Sequence, residues 1–489
     1  MSFRYASGIN KPGFDPLTTN IQGIWGLGAQ ANAIASGTWV RLPGAPTIGT
    51  ATSTGTTTAT VDFTQPVSNG GATITVYTAT SSPAGGTGTL SQAGSGTISV
   101  TGLASGTSYT FTVTATTSVG ISSASSASNS ITTSFSYELY TFGWNNEGQL
   151  GLGDITNRSS PVQVGALTDW SKVSLGGSFT AALKLDTTIW TFGRNFSGEL
   201  GIGNLTNYSS PMQVGAYDAW ANVACGDNHT LVLGTSGTLW SWGYNVLGQL
   251  GLLNSGSPST DRSNPTQIGS LSTWAEIGAG RYHSVAVKTN GTLWAWGGNG
   301  DGQLGFGNTA NYSSPKQVGA LTTWYKVSAK RYFTLALKTN GTLWSWGNNL
   351  YGQLGLGNTT YYSSPKQIGA LTTWASIVAG SFHALAIKTD GTLWAWGRGT
   401  GGALGVGGGT SYSSPKQVGA LTNWLSLAAG YYCSASIKTN GQLWSWGYNG
   451  TGGLGLGDTT NRSSPVQVGS LTTWQNVGMG SFTTAAIKT

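Results

Sequence analysis

The chain has 489 residues, 77 of them Gly and 21 Trp, and only 8% are charged, against roughly a quarter in an average soluble domain. Two cysteines exclude a fold stapled by disulfides, and no stretch approaches the ~20 apolar residues of a membrane-spanning helix. The formal net charge of +7 is spread along the chain without a basic cluster, which argues against a nucleic-acid binder.

Residues 1–43 follow no period. Pro12, Gly13 and Pro16 break any regular element, and Trp25 and Trp39 are too few to make a core. No charged stretch followed by an apolar run opens the chain, so no secretory signal is expected. The segment is expected to dock on another protein, with Phe3, Tyr5, Phe14 and Trp25 as anchors; packing onto the chain's own next domain is the simpler alternative.

Residues 44–134 alternate apolar and polar positions. Ala59, Val61 and Phe63, then Ile74 and Val76, then Ile98 and Val100, then Tyr109, Phe111, Val113 and Ala115 mark strands with one buried face. Asn69-Gly70-Gly71, Ser82-Pro83 and Gly85-Gly86 supply the turns between them. The pattern predicts a small antiparallel sandwich.

Residues 135–489 repeat. A Trp-Gly or Phe-Gly pair ends at Gly143, Gly193, Gly243, Gly297, Gly347, Gly397 and Gly447, with steps of 50, 50, 54, 50, 50 and 50 residues. A Gly-x-Leu-Gly string, a Pro-x-Gln string and a lone Trp (Trp170 through Trp474) keep the same step, which makes seven units. Short β-prone runs such as Leu335–Lys338 and Leu343–Trp346 are joined by Asn340-Gly341, which suits a two-residue type I′ hairpin. The first unit has Asp186-Thr187-Thr188 there instead. Lys288, Lys338, Lys388, Lys438 and Lys488 recur once per unit and read as solvated side chains. Such a unit cannot bury both faces alone, and a ring of them leaves no open end. The last unit stops at Lys488-Thr489 where earlier units enter a further strand, and Tyr137–Gly143 supplies that strand from the other end. Pairing of the two is expected to lock the ring.

The consensus LWSWGxNxxGQLGLG…SSPxQV…W…GxxHxxAxK resembles the RCC1 repeat, and the likeness covers residues 135–489. It implies a seven-bladed β-propeller. It does not select a function, because RCC1-like propellers include a nuclear exchange factor, bacterial inhibitor proteins and many adhesive or structural modules. The string GLASGTSYTFTVTA resembles the fibronectin type III signature, with Tyr109 in the tyrosine-corner place. The Trp usual in that family's early core strand is absent, so Val61 or Phe63 must fill its space. The expected fold is all-β: an RCC1-like seven-bladed propeller preceded by a fibronectin type III-like sandwich.

Motifs that carry chemistry are missing. His229, His283 and His383 share one repeat slot with Phe179, Phe333, Cys433 and Thr483, which reads as a buried structural position. Cys225 and Cys433 lie in apolar strands without metal-ligand spacing and read as small buried residues. The acidic residues form no pair with a catalytic rationale, and the Gly-rich string at 397–402 has no following helix to cradle a phosphate. No enzyme activity, cofactor or metal is expected. What remains is recognition through loops.

The pairs Arg281-Tyr282, Arg331-Tyr332 and Tyr431-Tyr432 precede the His slot and differ between units. The third unit is lengthened within Asn254–Arg262, where Asp261 and Arg262 are candidates. Tyr208, Tyr312, Tyr361, Tyr362 and Tyr412 precede Ser-Ser-Pro strings that read as turns. Tyr and Arg are enriched in binding hot spots; packing of the tyrosines between units is the alternative.

The reading that joins these features is a non-enzymatic virion structural protein of a bacteriophage, a fibre, spike or surface decoration. It would dock on other virion proteins through residues 1–43 and offer the propeller to a host surface protein, a glycan or a neighbouring subunit. It implies a virion or extracellular location and an oligomeric assembly, with neither nucleic acid nor membrane insertion. A bacterial extracellular adhesin or inhibitor of RCC1-like type is the alternative, and a guanine-nucleotide exchange factor a remote one.

Overall fold

The computed structural model describes residues 40–216, 219–253 and 260–489, and the chain divides into two compact units between Ser136 and Tyr137. The expected docking anchors Phe3, Tyr5, Phe14 and Trp25 lie outside the described residues, as do residues 254–259 of the lengthened stretch Asn254–Arg262. Strands make up nearly all the regular structure described.

In the first unit, Thr47–Ser53, Ala59–Thr64 and Gly96–Val100 form one sheet, and a second is built on Ile74–Ser82, Thr87–Leu90 and Ser108–Thr117. Their inward residues, among them Val61, Phe63, Tyr77, Ile98, Phe111 and Val113, share one buried core. The Phe63 and Tyr77 rings meet at 4.2 Å, so Val61 and Phe63 both occupy the middle of the sandwich. One strand departs from the expected alternation: Ile74 and Tyr77 are buried while Val76 is only half-buried. The register against Ser108–Thr117 shifts between Ile74 and Val76, and the extra residue turns the following side chains to the other face. The backbone N–H of Ala104 donates to the Tyr109 hydroxyl at 2.9 Å.

The second unit holds seven four-stranded antiparallel sheets among the described residues. In six of them the lone Trp opens the inner strand, as in Trp324–Lys330, while in the other the inner strand is Ala428–Ala429 and Trp424 makes an isolated bridge to Lys438. The His-slot residue opens the second, as in Phe333–Lys338. The third ends on the Trp-Gly or Phe-Gly pair, as in Leu343–Gly347, and the outer strand carries the Ser-Pro string, as in Tyr362–Gln367. Inner strands touch their neighbours in a closed cycle, Trp474–Met479 returning to Trp170–Leu175. The closing sheet takes two strands from each end of the unit. Glu138–Gly143 pairs with Thr483–Lys488, Leu139 stands opposite Ile487, and Lys488 meets Glu138 at 3.3 Å. The expected lock is present.

The repeat motif is a set of contacts between consecutive sheets. The indole N–H of Trp296 donates to the Gln249 carbonyl at 2.9 Å, and those of Trp346 and Trp396 do the same to Gln303 and Gln353. Gly305, at φ +82°, lies flat on the Trp346 indole, where a Cβ would come within 2.9 Å of Nε1. Glycine there answers both the positive φ and the close approach. Asn299 closes the same loop, accepting from Leu304 N at 2.9 Å and donating to the Asn308 carbonyl at 2.9 Å. The outer strand, the edge of each sheet, accommodates its proline because that side of the backbone needs no donor.

Three expectations are corrected. The Asn-Gly hairpins are not type I′, because only the glycine has positive φ, +75° at Gly291. Gly291 N bonds the Lys288 carbonyl and Lys288 N the Thr292 carbonyl, which is a three-residue loop with a glycine bulge. The Asn290 carboxamide, accepting from the Thr292 hydroxyl at 2.7 Å, holds its own backbone in the ordinary region. The Ser-Ser-Pro strings are strands rather than turns. The recurring lysines are not solvated: Lys288, Lys338 and Lys438 are buried. Their ammonium groups lie 3.8, 3.8 and 3.7 Å over the rings of Trp294, Trp344 and Trp444, a cation–π contact that lets the stem cover apolar surface. Burial pushes the pKa of each of these three down.

Candidate binding face

The second strand of every sheet starts at the end away from the hairpin to the third strand, and its first residue decides how neighbouring sheets are bolted. His229 Nε2 meets Ser284 Oγ at 2.9 Å, His283 meets Thr334 Oγ1 at 3.0 Å, and His383 meets Ser434 Oγ at 2.8 Å. Each hydroxyl already donates to a backbone carbonyl, those of Gln249, Gln303 and Ala403. The hydroxyl therefore accepts, and the imidazole carries its proton on Nε2. All three rings are fully buried, and burial pushes their pKa values down to about 3, about 3 and about 4. They stay neutral and bolt the ring. Cys225 and Cys433 are buried free thiols, each pushed up to about 12 by burial. Among the described residues no group of three or more His, Cys, Asp or Glu side chains is placed to hold a metal ion.

The turns that lead into these second strands carry the six sequence-predicted Tyr and Arg residues, and the structure gathers them into one arc. The Tyr282 and Tyr332 rings are 6.2 Å apart, with the Arg281 guanidinium 4.9 Å from the first and 5.8 Å from the second. Arg281 also donates to the Tyr332 hydroxyl at 3.0 Å. Arg331 lies 5.5 Å from the Tyr332 ring, 4.4 Å from Phe382 and 5.0 Å from Tyr431. Tyr431 meets Tyr432 at 4.4 Å and Phe482 at 5.4 Å. Aromatic pairs at such separations are mutually attractive.

Sequence reasoning missed the other half of the arc. The residue after each Trp-Gly or Phe-Gly pair packs against the same turns: Trp144 on Phe482 at 6.5 Å, Tyr244 on Tyr282 at 6.0 Å, and Tyr448 on Phe482 at 5.7 Å. Arg398, in that position, lies 5.5 Å from the Phe382 ring and donates to the Tyr432 hydroxyl at 2.9 Å. These residues differ between units as the turn pairs do, and that variation at a fixed repeat position is the signal that could have found them. The arc gives way to polar groups on the first two sheets, where Arg194 pairs with the buried Glu199 at 3.0 Å and bonds Asn228. Burial pushes the Glu199 carboxyl up against the opposing pull of Arg194.

Asp261 and Arg262 take a different place. Asp261 accepts from Asn245 N at 2.7 Å, as Asn311 does from Asn299 N at 2.8 Å, so it closes a repeat loop beside Tyr244. Arg262 donates to the carbonyls of Thr260 and Asp261, both at 3.0 Å. The Tyr208, Tyr312 and Tyr362 hydroxyls accept from Asn204, Asn308 and Asn358 within their own units and lie apart from the arc's ring contacts.

Residues from all seven inner strands surround a central cavity of about 210 Å³. Lys330 stands where the other six units have Gly176, Gly226, Gly280, Gly380, Gly430 and Gly480. Its buried ammonium reaches across the ring to the Leu175 carbonyl at 3.1 Å.

Comparison with known proteins follows this geometry. The RCC1-like domain model matches residues 84–427, and the regulator of chromosome condensation (RCC1) repeat model matches residues 440–487. The chain is similar in structure to human WBSCR16, with a TM-score of 0.64 and 22% identity over 72% of this chain and 98% of that one. It is also similar to Prp20p of Saccharomyces cerevisiae, described with its binding properties to Gsp1p and histones, with a TM-score of 0.65 and 22% identity over 72% and 91% of the two chains. The same yeast protein bound to Kap60 matches at 0.65 and 21% identity, over 72% and 89%. No curated protein sequence matches the chain. Identities this low carry the fold alone.

Proposed function

The chain belongs to the RCC1-like domain family, and from that premise we propose that it is a non-enzymatic binding protein whose seven-bladed propeller takes a protein partner on the arc of Tyr, Phe and Arg. The observation that carries this reading is the run of rings from Trp144 through Phe482, Tyr431 and Phe382, across the Arg331 guanidinium, to Tyr332, Tyr282 and Tyr244. These side chains are partly exposed and held by one another, as a preorganised hot spot requires. Phe382 tests it. A photo-cross-linking amino acid at Phe382 of the full chain, in extract from its source, is expected to capture a partner that the same group at exposed Asn340 does not. Equal capture at both sites sinks the reading.

The fuller reading is a bacteriophage virion component, docked through residues 1–43, with a fibronectin type III-like sandwich as spacer and the propeller turned outward. It carries the expectation of a virion or extracellular location. The Tyr109 hydroxyl bonded to Ala104 N supports the fibronectin likeness, and low charge with near-uniform repeats suits a structural particle protein. If the purified chain is monomeric and binds neither virions nor cell envelopes, the virion reading falls while the arc remains. Guanine-nucleotide exchange is the competing reading that the RCC1 likeness raises; the chain is expected not to bind Gsp1p, to which the binding of Prp20p is described.

A further inference from the structure

We infer that Arg331 and Arg398, both lying beside the ring of Phe382, form a receptor for carboxylates on an acidic peptide segment of the partner. The inference rests on the arc being a binding face, and it adds the chemistry of what binds there.

The other arginines of the ring are spoken for. Arg158 and Arg462 each hold an aspartate four residues away, Arg194 holds Glu199, and Arg281 lies 3.9 Å from Asp227. Arg262 is bound to backbone carbonyls. Arg331 has no ion pair and no side-chain hydrogen bond among the described residues, and its Nε is buried without a partner. Arg398 has only the neutral oxygens of Thr400 and Tyr432, at 3.0 and 2.9 Å.

Both guanidinium groups lie among aromatic rings, Arg331 at 4.4 Å from the Phe382 centroid and Arg398 at 4.4 Å from Tyr351, 4.9 Å from Tyr432 and 5.5 Å from Phe382. A cation–π contact leaves the guanidinium charged, and its fork geometry matches a carboxylate. The backbone supports this. Lys330 in place of glycine extends the inner strand to pair with Phe333, and Arg331 is held at φ +48° in the resulting tight turn. A non-glycine residue kept in that region is the kind of strain that collects at ligand clamps.

The charges nearest the two guanidinium groups along the chain are positive: Lys330 and Arg331 lie in the turn at 330–332 and Arg398 in the loop at 398–402, while the turns at 380–382 and 430–432 are uncharged. Glu147, Glu199 and Asp227 belong to earlier units, and the Asp301 carboxylate accepts from Asn348 at 3.3 Å. Two forks set among rings suit discrete Asp or Glu side chains on a peptide. A nucleic acid or polyanionic saccharide calls for a rail of cations along its length, which this arc lacks.

The test measures binding of fluorescein-labelled octaglutamate to the full chain at low ionic strength, with octaserine and a hyaluronate octasaccharide as comparison probes. Octaglutamate is expected to bind and octaserine not to. Arg331→Gln with Arg398→Gln is expected to weaken binding by about tenfold or more, and Arg331→Lys, which keeps charge but loses the fork, to weaken it less. Arg158→Gln with Arg462→Gln changes net charge equally and is expected to leave affinity unchanged; unaltered thermal midpoints show that both double variants fold. The inference is overturned if the two double variants weaken binding equally, if hyaluronate binds as tightly, or if octaglutamate does not bind at all. In that last case, capture at Phe382 still tells whether the face itself binds a partner, so the two readings fail separately.

Discussion

Each repeat unit has two ends, and they follow different rules. At the hairpin end, between second and third strands, most units share a Lys over two Trp rings, an Asn or Asp side chain bonding the next hydroxyl, and a glycine bulge, with Gly234 in the Lys place of one unit and Thr187 in the glycine place of another. At the other end, the turn residues read Gly177-Ser178, Asp227-Asn228, Arg281-Tyr282, Arg331-Tyr332, Ser381-Phe382, Tyr431-Tyr432 and Ser481-Phe482. A side chain that packs on its neighbouring sheets meets similar surroundings in every unit and varies within narrow limits, as the buried slot of His, Phe, Cys and Thr shows. One that faces outward is released from that condition, and the proposed partner site rests on this wider variety.

The sharpest way to break this comparison is at the seam. Removing residues 483–489 leaves Glu138–Gly143 without its partner strand and is expected to abolish cooperative folding, read by circular dichroism and urea denaturation. Leu139→Ala, at a fully buried position of the seam, should cost about 2–5 kcal/mol; a loss under ~0.5 kcal/mol would show that the ring does not depend on it.

Acid probes the bolts between sheets. The native state holds His229, His283 and His383 neutral down to about pH 3 to 4, whereas the unfolded chain protonates near pH 6.5. Folded pKa values below the unfolded ones mean that stability is fully present above about pH 6.5 and falls as pH drops toward the folded values. At pH 5 the loss is on the order of 2 kcal/mol for each histidine. Replacing all three with Phe, the residue of the same slot at Phe179 and Phe333, should flatten the urea midpoint between pH 7 and 5; an unchanged slope would remove the histidines from the account.

The smallest effects separate the two ends. Lys438→Met keeps the stem but removes the ammonium over Trp444, with an expected cost of about 1 kcal/mol. Arg331→Gln, on the recognition side, should move stability by no more than about 0.5 kcal/mol while weakening acidic-peptide binding. Reversal of that order in thermal melts would erase the distinction between scaffold end and partner end.

How far the arc was legible follows from the same contrast. Arg281, Tyr282, Arg331, Tyr332, Tyr431 and Tyr432 stand out in the sequence as adjacent pairs in one slot. Trp144, Arg398 and Tyr448 did not, because each sits in a loop far from its partner turn along the chain. They arrive only through backbone bonds such as Trp144 N to the Phe482 carbonyl at 3.0 Å and Tyr448 N to the Tyr432 carbonyl at 2.9 Å. The lysines misled for a related reason: charge suggests solvent, and only the two Trp rings of the folded sheet show where each ammonium lies.

Periodicity by itself determined the ring and its seam, because every recurring Trp, Gly and Asn contacts only its own or the adjacent unit, and nearest-neighbour contacts repeat as the sequence repeats. Tertiary structure decided the surroundings of Arg281, Arg331 and Arg398, whose ring partners come from neighbouring sheets, whereas Arg158 and Arg462 find their aspartates four residues back along the chain. No spacing along the chain records which aromatic ring waits on the far side of a turn.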